Sequence, residues 1–365
     1  MMNTHREVTD IRVLHPLELT DAQLAVWSQL QEQHGIFESP YFRPEFTRTV
    51  AAVHDGVEVA VLTSGDEIAG FFPFQRQRGD VAAPVGGRMS DFHGAIVDPA
   101  VRWDAVELMR GCGLRAWNFH HLIADQAPLQ PFRYRTSESL FADVSDGFDA
   151  YYRERRKTGS KRLKRIRQKT RKLERDAGAI RLESHVADRD VLETLMRWKS
   201  KQYRESGLFD LFSVPAPRRL LETVLTTQGR GFAGMLSVLY VDGRVGAIDF
   251  GIRSRGVLHS WFPAYDRALS AYGLGHILLV EMLKAAPELG IRRIHVGKAK
   301  ESYKHSFASG CVDVSDGAVD VRPLRSRAKR GWFETKQWLK ETPVQTALRR
   351  PVRWARRMFD RSAMS

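Results

Sequence analysis

Apolar residues along the chain follow two spacings. The stretches Val59–Phe74 and Leu236–Gly251 each read as an apolar strand, a glycine-containing turn and a second strand. Sliding one onto the other by 177 positions aligns Val61 with Val238, Leu62 with Leu239, Ile68 with Val245 and Ala69 with Gly246. Turn-linked strands are common, so the match leaves a duplicated hairpin and coincidence both open. The helical spacing is clearest in Tyr151–Ala177, where Leu163, Ile166, Thr170, Leu173 and Ala177 form a narrow stripe on a basic background and Gly178 stands where a cap belongs. The same spacing predicts helices over 191–205, 215–227 and 277–289, the second opened by Pro215. Strands are predicted at 235–241, 244–252, 256–262 and 291–296. Helices, an antiparallel hairpin run, then helix and strand define an α/β class with a mixed sheet, in two similar halves meeting near residue 150.

Composition sharpens this picture through charge. Over 365 residues the net charge is +14, but 151–185 and 322–365 each carry +10, leaving the rest at −6. Two basic elements on a mildly acidic globule can attract phosphates, acidic polymers or an anionic membrane surface. Hydrophobic residues at 43% exclude a mainly disordered chain. Cys112 and Cys311 stand alone, without zinc-type spacing, so neither a disulfide framework nor a metal site is expected. No apolar run is long enough to cross a bilayer, and the N-terminal residues lack the core of a signal peptide, so the expectation is a cytoplasmic protein, at most peripheral to a membrane. The tail from Arg322 interleaves arginines with Trp332, Phe333, Trp338, Leu348, Val352 and Trp354. It reads either as a basic amphipathic helix for an anionic membrane or partner groove, or as a docked helix with solvated arginines.

The chemistry centres on Tyr272-Gly-Leu-Gly-His276. This glycine turn follows three predicted strands and opens a helix, so Gly273 and Gly275 allow close backbone approach while unpaired N–H groups beginning near His276 can receive a phosphate. Around it lie Trp261-Phe-Pro-Ala-Tyr-Asp266 and Gly297-Lys-Ala-Lys-Glu-Ser-Tyr303-Lys304. Together with the basic run Arg153–Arg175, Ser39-Pro-Tyr-Phe-Arg-Pro-Glu45 and Ser90-Asp-Phe-His-Gly94, these segments resemble the CelD/BcsL-type acyltransferases of the GNAT superfamily, relatives of the FemAB-like transferases, over roughly residues 36–310. The chain departs from that pattern at three places: His295 stands at an aspartate position and Ala299 at a glycine position of the late motif, and Ser270 where the phosphate loop usually begins with Arg or Gln.

The resemblance implies two GNAT-like halves, each a mixed, largely antiparallel sheet flanked by helices: an N-terminal half (1–150), a C-terminal acyltransferase core (151–321) and a basic amphipathic tail (322–365). It implies an acyl-CoA co-substrate and no metal, with Tyr272, Gly273, Leu274, Gly275 and His276 at the donor. Asp249, His259, Tyr303 and Lys304 are the candidate catalytic residues, since the reaction needs a base for the acceptor and a donor for the leaving thiolate; the neutral imidazole of His295 attracts attention for the same reason. The bland readings are that Asp249 caps a turn, His259 is a core histidine and Asp266 is an N-cap. Asp91, His93, Trp261, Asp266 and Glu301 are candidates for the acceptor, Asp91 and His93 in a groove between the halves. His120 and His121, as neighbours on a strand or helix, point apart and make poor joint metal ligands.

The function implied is N- or O-acyl transfer from acyl-CoA to a sugar, sugar nucleotide or polysaccharide precursor, the partner being a small-molecule or glycan acceptor. Two alternatives stay open: aminoacyl transfer from aminoacyl-tRNA, with the basic helix along the RNA backbone, and a GNAT-fold binding module that has lost catalysis. Nucleic acid is not the favoured partner, because aromatic residues are scarce in the basic helix. Neither a P-loop signature nor a Gly-x-Ser-x-Gly elbow occurs.

Overall fold

The computed structural model describes residues 6–158, 161–229, 231–299 and 301–322, with Arg325 and Gly331. The basic tail, apart from Arg322 and those two residues, therefore lies outside the described residues. The chain divides into two compact units, one of residues 1–137 with 313 onward and one of residues 138–312.

The first unit contains β1 (Arg6–Glu7), β2 (Asp10–Leu14), α1 (Asp21–Gln33), α2 (Pro44–Ala51), β3 (Val57–Ser64), β4 (Glu67–Gln77), β5 (Val81–Ala83), β6 (Ile96–Val97), β7 (Val101–Arg102), α3 (Ala105–Gly111) and β8 (Ala116–Ile123). Strand β9 (Arg133–Asp143) runs across the division into the second unit. There follow α4 (Phe148–Lys157), α5 (Arg162–Ala177), β10 (Ile180–Glu183), α6 (Arg189–Glu205), α7 (Pro215–Thr226), β11 (Ala233–Val241), β12 (Arg244–Ser254), β13 (Val257–Tyr265), α8 (Leu274–Ala285), β14 (Arg293–Lys298) and α9 (Ser302–His305). Strand β15 (Gly310–Asp320) returns the chain to the first unit.

Each unit holds a mixed, largely antiparallel sheet flanked by helices. In the first the order is β2-β3-β4-β5-β8-β15, and only β5 and β8 are parallel. In the second it is β10-β11-β12-β13-β14-β9, and only β13 and β14 are parallel. The hairpins β3–β4 and β11–β12 match in detail. Both turn on two residues, Gly65-Asp66 and Asp242-Gly243, with positive φ at Gly65, Asp242 and Gly243. Both shift register at the same place: Leu62↔Gly70 and Thr63↔Ile68 in one, Leu239↔Ala247 and Tyr240↔Val245 in the other. The bulged residues Ala69 and Gly246 are among those the offset of 177 aligned, and a shared bulge is a stronger sign of common design than a shared pattern of apolar residues.

The same offset maps β9 onto β15, yet β9 completes the second unit's sheet by pairing with β14, and β15 completes the first unit's by pairing with β8. This exchange of last strands moves the division from the expected 150 to 137/138. The single helix expected over 151–177 is two, α4 and α5, on either side of the stretch's one glycine, Gly159, itself outside the described residues. The helix expected from 277 begins at Leu274 and ends at Ala285, because Gly273 adopts the left-handed conformation that lets the chain turn directly into it. Beneath α5 and α8 a core of Leu163, Ile166, Met235, Leu239, Leu258, Leu274, Ile277 and Ile294 holds these helices to one face of the sheet.

Strand exchange makes a specific demand on fragments. A fragment 138–312 keeps the strand β14 pairs with and should unfold cooperatively in urea. A fragment 151–321 leaves β14 as an exposed edge and should be aggregated or molten by near-ultraviolet circular dichroism.

Candidate active site

The site is built where two strands part. Strands β13 and β14 pair over only three positions, Val257↔Arg293, Leu258↔Ile294 and His259↔His295, although β13 runs on to Tyr265 and β14 to Lys298. Each carries an extra residue just past the last shared pair. In β13 it is Trp261, between Ser260 opposite Gly251 and Phe262 opposite Phe250. In β14 it is Val296, between His295 opposite Phe141 and Gly297 opposite Leu140. A bulge bends and twists its strand, and two of them here open a gap between the neighbours.

Asp249 lies on β12 opposite Ser237, so it shares a face with Met235 and Leu239, the face that α5 and α8 cover. It is 3% exposed. The Ser260 hydroxyl donates to its Oδ2, while its Oδ1 has no hydrogen-bond partner. Burial pushes its carboxyl up to about 6, against the pull of the Ser260 bond and of the Lys199 charge. Burial likewise drives the Lys199 ammonium on α6 down to about 8, a shift that Asp249 opposes and Lys304 reinforces. Tyr303 packs against the same core face, and burial followed by the charges of Glu301 and Asp249 raises its phenol. Asp249 thus lies within electrostatic reach of Lys199 and Tyr303, and Lys199 within that of Lys304. Lys304 Nζ donates to the Lys298 carbonyl at 3.3 Å and pairs with Glu301 at 2.9 Å.

The two histidines are elsewhere. His259 follows Leu258 on β13 and therefore faces away from Asp249, its ring stacked on His295 with centroids 4.3 Å apart and planes 2° from parallel. Burial, then the neighbouring cation or imidazole, lowers both, His259 well below its usual value and His295 to about 3. The pair is packed and weakly basic, and the structure does not bring His259 together with Asp249, Tyr303 and Lys304.

At the glycine turn, Gly273 has φ 73° and ψ 48°, and α8 starts at the next residue. The N–H groups of Leu274 and Gly275, at the helix start, have no acceptor within the helix. The His276 N–H instead donates to the Gly273 carbonyl at 3.0 Å, so its backbone is already spent, and its ring stands 4.9 Å from that of Tyr303. The Leu274 side chain is fully buried, so only its backbone can serve a ligand. Tyr272 is tied away from the turn, its hydroxyl donating to Asp176 at 3.2 Å.

A residue sequence reasoning missed reaches in from α5. Lys169 Nζ donates to the Ala271 carbonyl at 3.1 Å and would lie 3.6 Å from a Cβ on Gly273. Burial and the nearby Arg162 and Lys169 keep the His276 imidazole below its usual value, which marks the turn as a positive site. Ser270 leaves the loop without its own cation, and α5 provides one. The only signal for this in the sequence was the charge run itself, which gave no reason to single out Lys169. Lys199, on an amphipathic helix, gave none either.

The remaining candidates separate. Trp261 is the half-buried bulge residue, its ring against Phe250 and Phe262. Asp266 is an N-cap, accepting from the Ala268 N–H at 2.9 Å, and Glu301 is exposed. Asp91 and His93 lie in the first unit, Asp91 3.6 Å from His121 Nε2 and the His93 ring 5.0 Å from that of His120. His121 has φ 53°, which breaks the strand alternation and brings its Nδ1 to 2.9 Å from that of His120, so the two do not diverge as expected. Among the described residues, no three potential ligands converge on a metal position.

Residues 160–305 match the family model described as an acetyltransferase (GNAT) domain. The match lies within the second unit and supports an acyltransferase domain there. The C-terminal domain of a putative lysylphosphatidylglycerol synthetase from Agrobacterium fabrum is similar in structure at 15% identity, with a TM-score of 0.52 over 84% of this chain and 94% of that one. FemX is similar at 10% identity, TM-score 0.56, over 86% and 98%. A tandem GNAT protein from the clavulanic acid biosynthesis pathway aligns at 11% identity, TM-score 0.49, over 86% and 99%. At these identities the likeness is one of fold. No curated protein matches the sequence. Among the described residues, no helix is long and apolar enough to cross a membrane.

Asp249 makes a sign-specific prediction. Its folded value of about 6 lies above the roughly 3.9 of an unfolded aspartate. Between those values the folded state keeps a proton the unfolded state has released, so this group's contribution to stability falls as pH rises from about 4 to about 6. Compared by urea midpoint from pH 4.5 to 7.5, Asp249→Asn should gain on the wild type as pH rises, by up to about 3 kcal/mol. A constant difference would place the carboxylate in water.

Proposed function

We propose that the protein transfers an acyl group from acyl-CoA to a hydroxyl or amine of a sugar, sugar nucleotide or polysaccharide precursor, as a cytoplasmic enzyme of the CelD/BcsL type. The single observation that carries the reading is a buried carboxylate, Asp249, with one oxygen unpartnered, on the sheet face packed by the glycine-opened helix α8.

The donor's phosphates fit the turn. Gly275 has room for no more than ordinary contact with Tyr265 in front of the helix, Leu274 and Gly275 offer N–H groups, and Lys169 adds a charge of the right sign. Acyl-CoA supplies an activated thioester. At neutral pH Asp249 is largely ionised and its free Oδ1 takes the proton of the attacking group. Tyr303, held protonated, donates to the departing sulfur, and Lys304 adds positive charge where negative charge develops.

Aminoacyl transfer from aminoacyl-tRNA is the second reading. It is favoured by the exposed cations of α5, Lys164, Arg165, Arg167 and Arg171, none of which has an ion-pair partner among the described residues. Calorimetric titration with CoA, acetyl-CoA and bulk tRNA at two salt concentrations separates the two. Saturable CoA binding that weakens about tenfold or more in Gly275→Glu supports the first. This substitution is a clean probe, because a Cβ at Gly275 meets only Tyr265 at 3.6 Å and adds no strain, whereas Gly273 is left-handed. Steeply salt-dependent tRNA binding without CoA binding moves the second ahead, and silence from both leaves a binding module without catalysis.

A further inference from the structure

A groove on the second unit lies between α6 and the end of β13, lined by Trp198, Lys201, Gln202, Ala264, Tyr265, Asp266 and Arg267. Its volume, about 110 Å³, suits one ring rather than a polymer segment. It is adjacent to the catalytic machinery at two points. Lys199 is the neighbour of Trp198 on α6, donates to Gln202 Oε1 at 3.1 Å and feels the charge of Asp249. Ala264 and Tyr265 follow Pro263, the residue opposite Asp249 across the β12–β13 pair.

The lining specifies the chemistry of an occupant. Charge cancels locally: Arg267 is paired with Glu205, and Lys201 and Asp266 balance each other. A formally charged ligand is not called for. Two aromatic side chains line it, the exposed Tyr265 and the half-buried Trp198, which has no aromatic ring packed against it among the described residues. The polar groups offer both directions of hydrogen bonding. Gln202 spends its oxygen on Lys199 and keeps its amide nitrogen to donate, Lys201 has no ion-pair partner among the described residues, and Asp266 uses one oxygen as an N-cap and keeps the other to accept. An apolar face with donors and acceptors on its rim is the requirement of a pyranose ring, which carries C–H groups on one face and hydroxyls at its edge.

We propose that this groove seats a neutral sugar ring of the acceptor, with Trp198 and Tyr265 against the ring and Gln202, Lys201 and Asp266 at its hydroxyls. The inference rests on the acyltransferase reading above. It makes Trp198 and Gln202 specificity residues, and Lys199 the link that couples ring binding to the carboxylate.

The test uses the full chain with cellobiose, maltose and chitobiose as probes, read by saturation-transfer NMR with saturating CoA, on wild type, Trp198→Ala and Gln202→Ala; calorimetry measures CoA on each. The expected result is saturation of ring C–H protons by at least one disaccharide, a tenfold or greater loss in Trp198→Ala, a smaller loss in Gln202→Ala, and unchanged CoA affinity. Disaccharide binding that survives Trp198→Ala overturns the groove and leaves the sugar acceptor standing. CoA binding without any disaccharide binding overturns the neutral-sugar assignment and leaves acyl transfer standing. If Trp198→Ala weakens CoA instead, the groove holds the donor's nucleoside and the proposal fails. Absence of CoA binding to a folded wild type defeats the underlying function first.

Discussion

The shortness of one parallel strand pair governs this molecule's chemistry. Three shared positions hold β13 to β14, and beyond His259 and His295 each strand spends an extra residue and leaves the other. The stacked histidines sit at the last shared pair, neutral and packed, where charged groups would repel.

Charge is arranged around the gap from separate elements. The helix start at Gly273 contributes backbone N–H groups, α5 contributes Lys169, and α6 contributes Lys199. Burial moves the aspartate up and the lysine down toward neutrality, each against the pull of the other's charge, and proton transfer near pH 7 requires groups of that kind. The basic run of 151–185 is therefore not uniform in role. Lys169 serves the turn, while Leu163, Ile166 and Leu173 anchor the helix in the core.

The two sheets share strand order, hairpin register and bulge position, yet their chemistry differs. The second unit carries the glycine turn and the buried carboxylate. The first carries a histidine cluster of Asp91, His93, His120 and His121, assembled through a left-handed His121 that strand alternation does not anticipate. Exchange of β9 and β15 gives each sheet its last strand from the other half of the sequence, so loss of either strand exposes an edge.

Local rules in the sequence sufficed for the hairpins, the glycine-opened helix, the stripe of α5 and the candidate residues Asp249, Tyr303 and Lys304, because turn chemistry and apolar periodicity act over a few residues. The offset of 177 also carried the repeat. The break between α4 and α5 was signalled only by Gly159, and the strand exchange had no local mark at all, since an edge pairs with whichever strand folding brings to it. The same limit hid Lys169 and Lys199, each one lysine among many on a helix until tertiary packing set it beside the turn or the carboxylate. It also hid the separation of Asp249 from His259: both are polar residues on neighbouring strands, and only the register of β12 against β13 shows that they face opposite sides of the sheet.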